Sequence, residues 1–238
     1  MKIAIITSIS SKSARELAEH LRVNGIKADV FHPYKDGRSD FRAYDYVFSY
    51  GCSAETEHKQ RINSPKAIKR CIDKVATFKT VTENNDVVPV PRWWTDKRDI
   101  PADAYTVVVR KKRDGNKATG LDYWYRDSDL PVPNGELYTE YFYHKREYRV
   151  VFFQGQCFIY YKHYDKVEDS HEFRLQRLAD FEKMHMACSY ARVKLGIEFV
   201  AFDVVAKSKN DFVILEANSG GALTPEVSTA IVEYFLNK

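Results

Sequence analysis

The chain has 238 residues, 44% of them hydrophobic, and 37 Lys and Arg against 33 Asp and Glu give a formal charge of +4. That length can bury a core as one globular unit of two or three lobes, and so mild a charge does not by itself mark a nucleic-acid binder. No run approaches the ~18 apolar residues of a membrane helix, and the opening MKIAIITSISSK lacks the apolar segment and cleavage site of a signal peptide, so the expected location is the cytoplasm. Cys52, Cys71, Cys157 and Cys188 show no CxxC spacing, which predicts reduced packing residues rather than disulfides or zinc ligands.

In chain order, residues 2–8 predict a buried strand, 13–24 a helix stopped by Gly25, 27–32 a second strand and 44–50 a third, a βαβ opening of the doubly wound kind. Its first turn, Thr7 to Ser11, holds neither GxGxxG nor GxxxxGK[ST], so a nucleotide must bind elsewhere if at all. Small hydroxyls at the carboxyl end of a parallel strand still suit a ligand crevice. From Asn63 the chain predicts two short helices, one begun by Ser64-Pro65 and one capped by Asp73 with Lys74 as its first residue, then a Pro-flanked strand. A β-branched strand from Tyr105 runs into the cations Arg110, Lys111, Lys112 and Arg113 and a loop containing Gly115 and Gly120. That run reads either as a solvated charge patch or as a group that meets an anion.

Residues 135–164 alternate aromatic and polar side chains around a tight turn at Gln154-Gly155 and predict consecutive antiparallel strands. Residues 171–195 show apolar positions at helical spacing with Gly196 as stop, predicting one long helix whose Met and aromatic stripe is core. Then comes FVAFDVVAKSKNDFVILEAN, two β-branched runs around a polar centre, which predicts a hairpin. A turn centred on Lys209 and Asn210 sets Asp203 opposite Glu216, with Asn218 on the same face. Opposed carboxylates repel, so either both face water on an ordinary surface hairpin or something positive lies between them. A divalent cation answers the second case. The donors are all hard oxygens, favouring Mg²⁺ or Mn²⁺ over zinc. A Gly220-Gly221 loop and a helix from Thr224-Pro225 end the chain.

An Asp, twelve intervening residues, an apolar run ending Leu-Glu-x-Asn, a small-residue loop and a helix resemble the metal-binding end of the ATP-grasp superfamily. That superfamily includes the D-alanine:D-alanine ligases and the enzymes that add glutamate to ribosomal protein tails. The segment from Asn63 also resembles its N-x-P-x-A-I-x-x-x-x-D-K-x-x-T…P-x-P pattern, and the order of motifs is kept across roughly residues 63–222. The resemblance implies an α/β (α+β) fold in which two lobes sandwich ATP, behind a short Rossmann-like lobe. It divides the chain into 1–62, the βαβ lobe; 63–135, the small lobe with its phosphate loop; and 136–238, the C-terminal lobe with the metal site. By the same resemblance Lys74 and Arg110, with Lys111 beside it, would hold phosphates, and the loop 113–120 would close over them. Glu140, Tyr141 and Phe142 would meet the adenine edge, Glu147 the ribose and Arg149 the transferring phosphoryl group, with Lys162 a further cation. Asp203, Glu216 and Asn218 would bind Mg²⁺ or Mn²⁺. The implied activity joins a carboxylate to an amine through an acyl phosphate. A kinase acting on a hydroxyl is one alternative, and a non-catalytic nucleotide or nucleic-acid binder is another, ranking last because it would idle the metal triad. Neither substrate nor oligomeric state is legible, a homodimer included.

Overall fold

The computed structural model describes every residue except 39, 57, 84–86, 115–119, 166–169 and 222. The chain opens with β1 (Lys2–Thr7), α1 (Lys12–Val23), β2 (Lys27–Phe31), a single helical turn α2 (Pro33–Asp36), β3 (Tyr46–Tyr50) and β4 (Arg61–Ile62). These strands form a parallel sheet in the order β2-β1-β3-β4, built as expected from a β-branched central run that is buried throughout after Lys2. Next come α3 (Pro65–Ile72) and α4 (Lys74–Thr82), started by the caps their sequences announce: Ser64 accepts from Ala67 N–H, and Asp73 from the N–H groups of Val75 and Ala76.

A small antiparallel sheet follows, from β5 (Trp93–Trp94), β6 (Thr106–Arg110), β7 (Leu121–Tyr125) and β8 (Leu137–Glu140), in the order β5-β8-β6-β7. The large sheet takes β9 (Arg146–Phe153), β10 (Gln156–Asp165), β11 (Ser170–Leu175), β12 (Phe199–Ser208) and β13 (Asp211–Asn218), in the order β11-β10-β9-β12-β13. Between its strands runs α5 (Glu182–Leu195), and α6 (Pro225–Leu236) closes the chain. One face of the large sheet buries Tyr148, Val150, Phe152 and Phe202 against Met184, Cys188 and Ala191 of α5, and α3 and α4 join that core through Ala67, Cys71 and Val81. The helices grouped with the small lobe from sequence thus rest on the large sheet, and α4 reaches the small one through Phe78, packed with Leu137. All four cysteines are free. No helix among the described residues is long and apolar enough to cross a membrane.

The antiparallel strands expected over residues 135–164 are present and divide between two sheets: β8 pairs with β6, whereas β9 and β10 form the expected hairpin turned by Gln154 and Gly155, both at positive φ. One expectation is corrected: 171–195 is not one helix. Its first part is the edge strand β11, paired residue for residue with β10 from Tyr160↔Leu175 to Asp165↔Ser170, and only from Glu182 is the backbone α-helical. The sequence SHEFRL satisfies a period of 2 as well as one of 3.6, and pairing with the Tyr-rich β10 decides between them.

The N-terminal sheet is fastened to the large sheet by Asn63. This fully buried residue, at φ 65°, accepts at Oδ1 from the N–H groups of Glu198 and Phe199 and donates from Nδ2 to the carbonyls of Phe199 and Ser49. Asn63→Ala strands these backbone groups and sets a Cβ-only residue in the left-handed region that Asn tolerates, so a stability loss on the order of 1–3 kcal/mol is expected in urea unfolding. A loss within error would show the staple to be inert. A second tie lies next to it. Gly51 N–H donates to Ser219 O at 3.0 Å, and a Cβ built on Gly220 would stand 2.9 Å from the Cα of Gly51, so the two backbones touch where β3 ends and the loop after β13 begins. Gly51 itself has φ +68°, which a side chain would resist.

Candidate active site

The turn of the β12–β13 hairpin centres on Lys209 and Asn210, and Asp203 pairs with Glu216. The ladder is not regular: Leu215 is an extra residue on β13 and Lys207 an extra one on β12, and the two irregularities cancel. On its other side Asp203 pairs with Arg149 of β9, which pairs with Tyr160 of β10. One cross-strand row of the sheet therefore reads Tyr160, Arg149, Asp203, Glu216.

The positive charge demanded by two adjacent carboxylates is supplied by the chain itself. Arg149 grips Asp203 with two hydrogen bonds, from Nε at 2.8 Å and Nη2 at 3.0 Å, while its guanidinium lies 5.1 Å from the ring centre of Phe173 on β11. Lys74, the first residue of α4 and only 6% exposed, reaches Glu216 at 3.0 Å. Asn218 donates to both carboxylates, at 3.2 Å to Asp203 and 2.9 Å to Glu216. In space the charges run plus, minus, minus, plus. Burial pushes the Asp203 carboxyl up against the pull of Arg149. At Glu216 the same desolvation is outweighed by Lys74 and by the hydrogen bond from Asn218, which hold it down to about 2. The set fits a hard divalent cation, because two carboxylates and one amide, joined through Asn218, offer only oxygen to a metal. Among the described residues no cluster of three His, Cys, Asp or Glu offers a competing site.

Opposite this floor stands the small sheet. Thr106, Val108 and Arg110 of β6 share one face with Tyr123 and Tyr125 of β7 and with Leu137 and Thr139 of β8, by their cross-strand pairing. Arg110 Nε is buried with no hydrogen-bond partner among the described residues. Burial draws the guanidinium's pKa down while the field of Glu216 acts the other way, so the group stands within electrostatic reach of the floor.

No family model matches this chain, and no curated protein does. Solved structures do. The ATP-grasp ligase PsnB, complexed with a minimal precursor, aligns over 99% of this chain and 98% of its own at 15% identity with a TM-score of 0.74. The macrocyclase MdnC of Microcystis aeruginosa, bound with the precursor peptide MdnA, aligns over the whole of both chains at 12% identity and TM-score 0.66. The D-alanine–D-alanine ligase of Bacillus anthracis covers 100% and 95% at 13% identity and TM-score 0.67. The chain has the ATP-grasp fold.

Within this ATP-grasp frame Lys74, Arg149, Asp203, Glu216 and Asn218 form one hydrogen-bonded cluster. Glu147 shares their face of β9 but is engaged by Lys162 at 3.0 Å and by His144 at 3.6 Å, so Lys162 is a partner of Glu147 rather than an isolated cation. Lys111 turns aside to Asp122 at 3.2 Å. The loop expected to close over phosphates lies outside the described residues from 115 to 119; before it, Arg113 O accepts from Lys74 N–H at 3.4 Å, and after it Gly120 O accepts from Lys111 N–H at 3.1 Å.

Glu140 differs from the expectation in its side chain. Its carboxylate takes two hydrogen bonds from Arg92, at 2.7 and 2.8 Å, on the face of β8 that packs Tyr138 and Trp94. Tyr141 adjoins Tyr123 and Tyr143 at 6.1 and 4.9 Å between ring centres, while the ring of Phe142 is taken by Lys207 at 4.6 Å. Glu140→Gln is expected to change ATP affinity less than about threefold, since a partly exposed ion pair facing away from the cleft contributes little. A tenfold loss in calorimetry would return the carboxylate to the nucleotide. Phe173, Tyr123 and Arg92 went unnoticed in the sequence. The first two carry a signal in hindsight: each is an aromatic residue on a cleft-facing phase of an alternating strand.

Proposed function

We propose that the protein is an ATP- and divalent-metal-dependent ligase that joins a carboxylate, presented by a peptide, to an amine. Support for the reaction class comes from one juxtaposition above all: the partly buried Arg110, whose buried Nε has no hydrogen-bond partner among the described residues, within electrostatic reach of a row of two carboxylates whose counter-charges are Arg149 and Lys74. A buried guanidinium nitrogen with no partner among the described residues is costly, and a polyanion would satisfy it. Support for a peptide comes from PsnB and MdnC, both solved with precursors and both matched along their length.

In this reading residues 63–135 and 136–238 clamp the nucleotide and residues 1–62 help to hold the acceptor at the carboxyl ends of β1 and β3. A carboxylate oxygen attacks the γ-phosphorus, ADP leaves, and the amine then displaces phosphate from the acyl carbon. Asp203, Glu216 and Asn218 would hold a divalent metal, which would supply charge neutralisation to the phosphates. Lys74 and Arg110 orient the phosphates, and Arg149 faces the acyl-phosphate oxygens. The four free cysteines suit a reducing, cytoplasmic setting.

Hydroxylamine tests this directly. Supplied in place of the amine, with ATP, Mg²⁺ and an acidic peptide library, it should trap the acyl phosphate as a hydroxamate. A stable phosphate ester with no hydroxamate would instead make the protein a kinase.

A further inference from the structure

A second charged recess lies away from the cleft. A groove of about 850 Å³ follows the outer edge of β2, between α1 and the segment after α2, and that volume is within the range of small-molecule pockets. β2 is an edge strand, and β1 separates it from β3, the strand whose end meets the loop after β13. One wall is built on Phe31, Phe41 and Tyr44, which meet edge to face with ring centres 5.3, 5.5 and 6.1 Å apart. The Arg38 guanidinium lies 4.5, 5.4 and 5.8 Å from the same three centres. Tyr44, 6% exposed, also donates from its hydroxyl to Asp29 at 2.9 Å, so one ring carries both a cation and an anion. On the α1 wall Arg15 is steadied by Ser10 Oγ, which accepts from its guanidinium at 2.7 Å.

The remaining charges of the lining are matched, Glu19 by Arg22 at 2.9 Å and Glu16 by Lys12 at 3.5 Å. Asp40, two residues from Arg38, is held by Arg42 at 2.8 Å. Arg15, Arg38 and Asp29 belong to no ion pair among the described residues. Arg38 Nε donates to the carbonyl of Asp40 at 3.3 Å, and a guanidinium stacked by its face keeps the rest of its N–H edge for a carboxylate. Stacking and hydrogen bonding fix these groups in advance, which lowers the ordering cost of binding. Two positive charges and one negative are the complement of two carboxylates and one ammonium. We propose that the groove binds a free α-amino acid with an acidic side chain, Arg38 taking the α-carboxylate, Asp29 the ammonium and Arg15 the side-chain carboxylate. No residue serves both the groove and the cleft, so the amino-acid site and the ligase activity stand or fall separately.

The probe is L-glutamate, titrated into the full chain without nucleotide and followed by NMR, which reads weak binding. Wild type should bind it with a Kd below ~1 mM at low salt. Because Arg15 and Arg38 are exposed, the affinity should fall as salt is added. Three analogues each lack one group: glutarate the ammonium, γ-aminobutyrate the α-carboxylate and L-glutamine the side-chain charge. Each should bind at least ~tenfold more weakly than L-glutamate. Asp29→Asn, which can still accept from Tyr44, should erase the preference for glutamate over glutarate. Arg38→Gln should erase that over γ-aminobutyrate, and Arg15→Gln that over glutamine. Each variant should keep the other two preferences, a pattern that partial unfolding cannot produce, and circular dichroism verifies the fold. The site is refuted if wild type ignores L-glutamate, if it binds all four compounds alike, or if the folded variants keep the preferences they should lose.

Discussion

Glu216→Gln is expected to abolish Mg²⁺-dependent ATP turnover, lowering it at least ~10³-fold, and Asp203→Asn to do the same. Charge stabilisation by a bound metal is worth several kcal/mol at the transition state, and each 1.36 kcal/mol is a factor of ten. The effect on the fold should oppose the one that sequence alone implies. Two facing carboxylates suggest repulsion that a neutral residue would relieve, leaving the fold as stable or slightly more so. In the structure the repulsion is already answered, and removing Glu216 leaves Lys74, 7% exposed at its side chain, without its ion-pair partner. Leaving a buried polar group short of its partner costs about 1–3 kcal/mol, so Glu216→Gln should melt earlier than wild type. The double variant Lys74→Met with Glu216→Gln should recover most of that loss, because deleting both members of a buried pair is far milder than deleting one. Full turnover in both single carboxylate variants would remove the metal site from the mechanism.

Arg149→Ala should form hydroxamate at least ~100-fold more slowly while binding ATP within roughly tenfold of wild type, about 1.4 kcal/mol. A group whose contacts strengthen in the transition state shows itself in kcat rather than in nucleotide affinity. The variant also uncovers Asp203, so a second one is needed: Arg149→Lys keeps the charge but loses the two-pronged grip on the carboxylate. It should fold like wild type and still fall well short in hydroxamate formation. Equal losses in ATP affinity and in hydroxamate rate would make Arg149 a nucleotide-binding residue and no more.

Local chemistry made much of this legible. Caps at Ser64, Asp73 and Thr224, the turn at Lys209-Asn210 and the alternation around it are read within a few residues of where they act, and each is present. The pairing of Asp203 with Glu216 came through although the ladder is irregular, because the extra residue on one strand is matched by one on the other. What stayed hidden was non-local. That Arg149 would lie beside Asp203 depends on β9 pairing with β12 across 54 positions, and no residue nearby encodes it. The same holds for Arg92, which reaches Glu140 from 48 positions away, and for Phe173, which became visible only once SHEFRL was seen to be a strand.

The contact between Gly51 and Gly220 limits how such a protein can be re-engineered. Because two main chains meet there with no side chain between them, the N-terminal unit cannot be exchanged for a relative's as a cassette unless the graft also brings a glycine to that seam. A methyl group on either side would act as a shim, forcing β3 and the loop after β13 apart beside Asn218 and the row behind it.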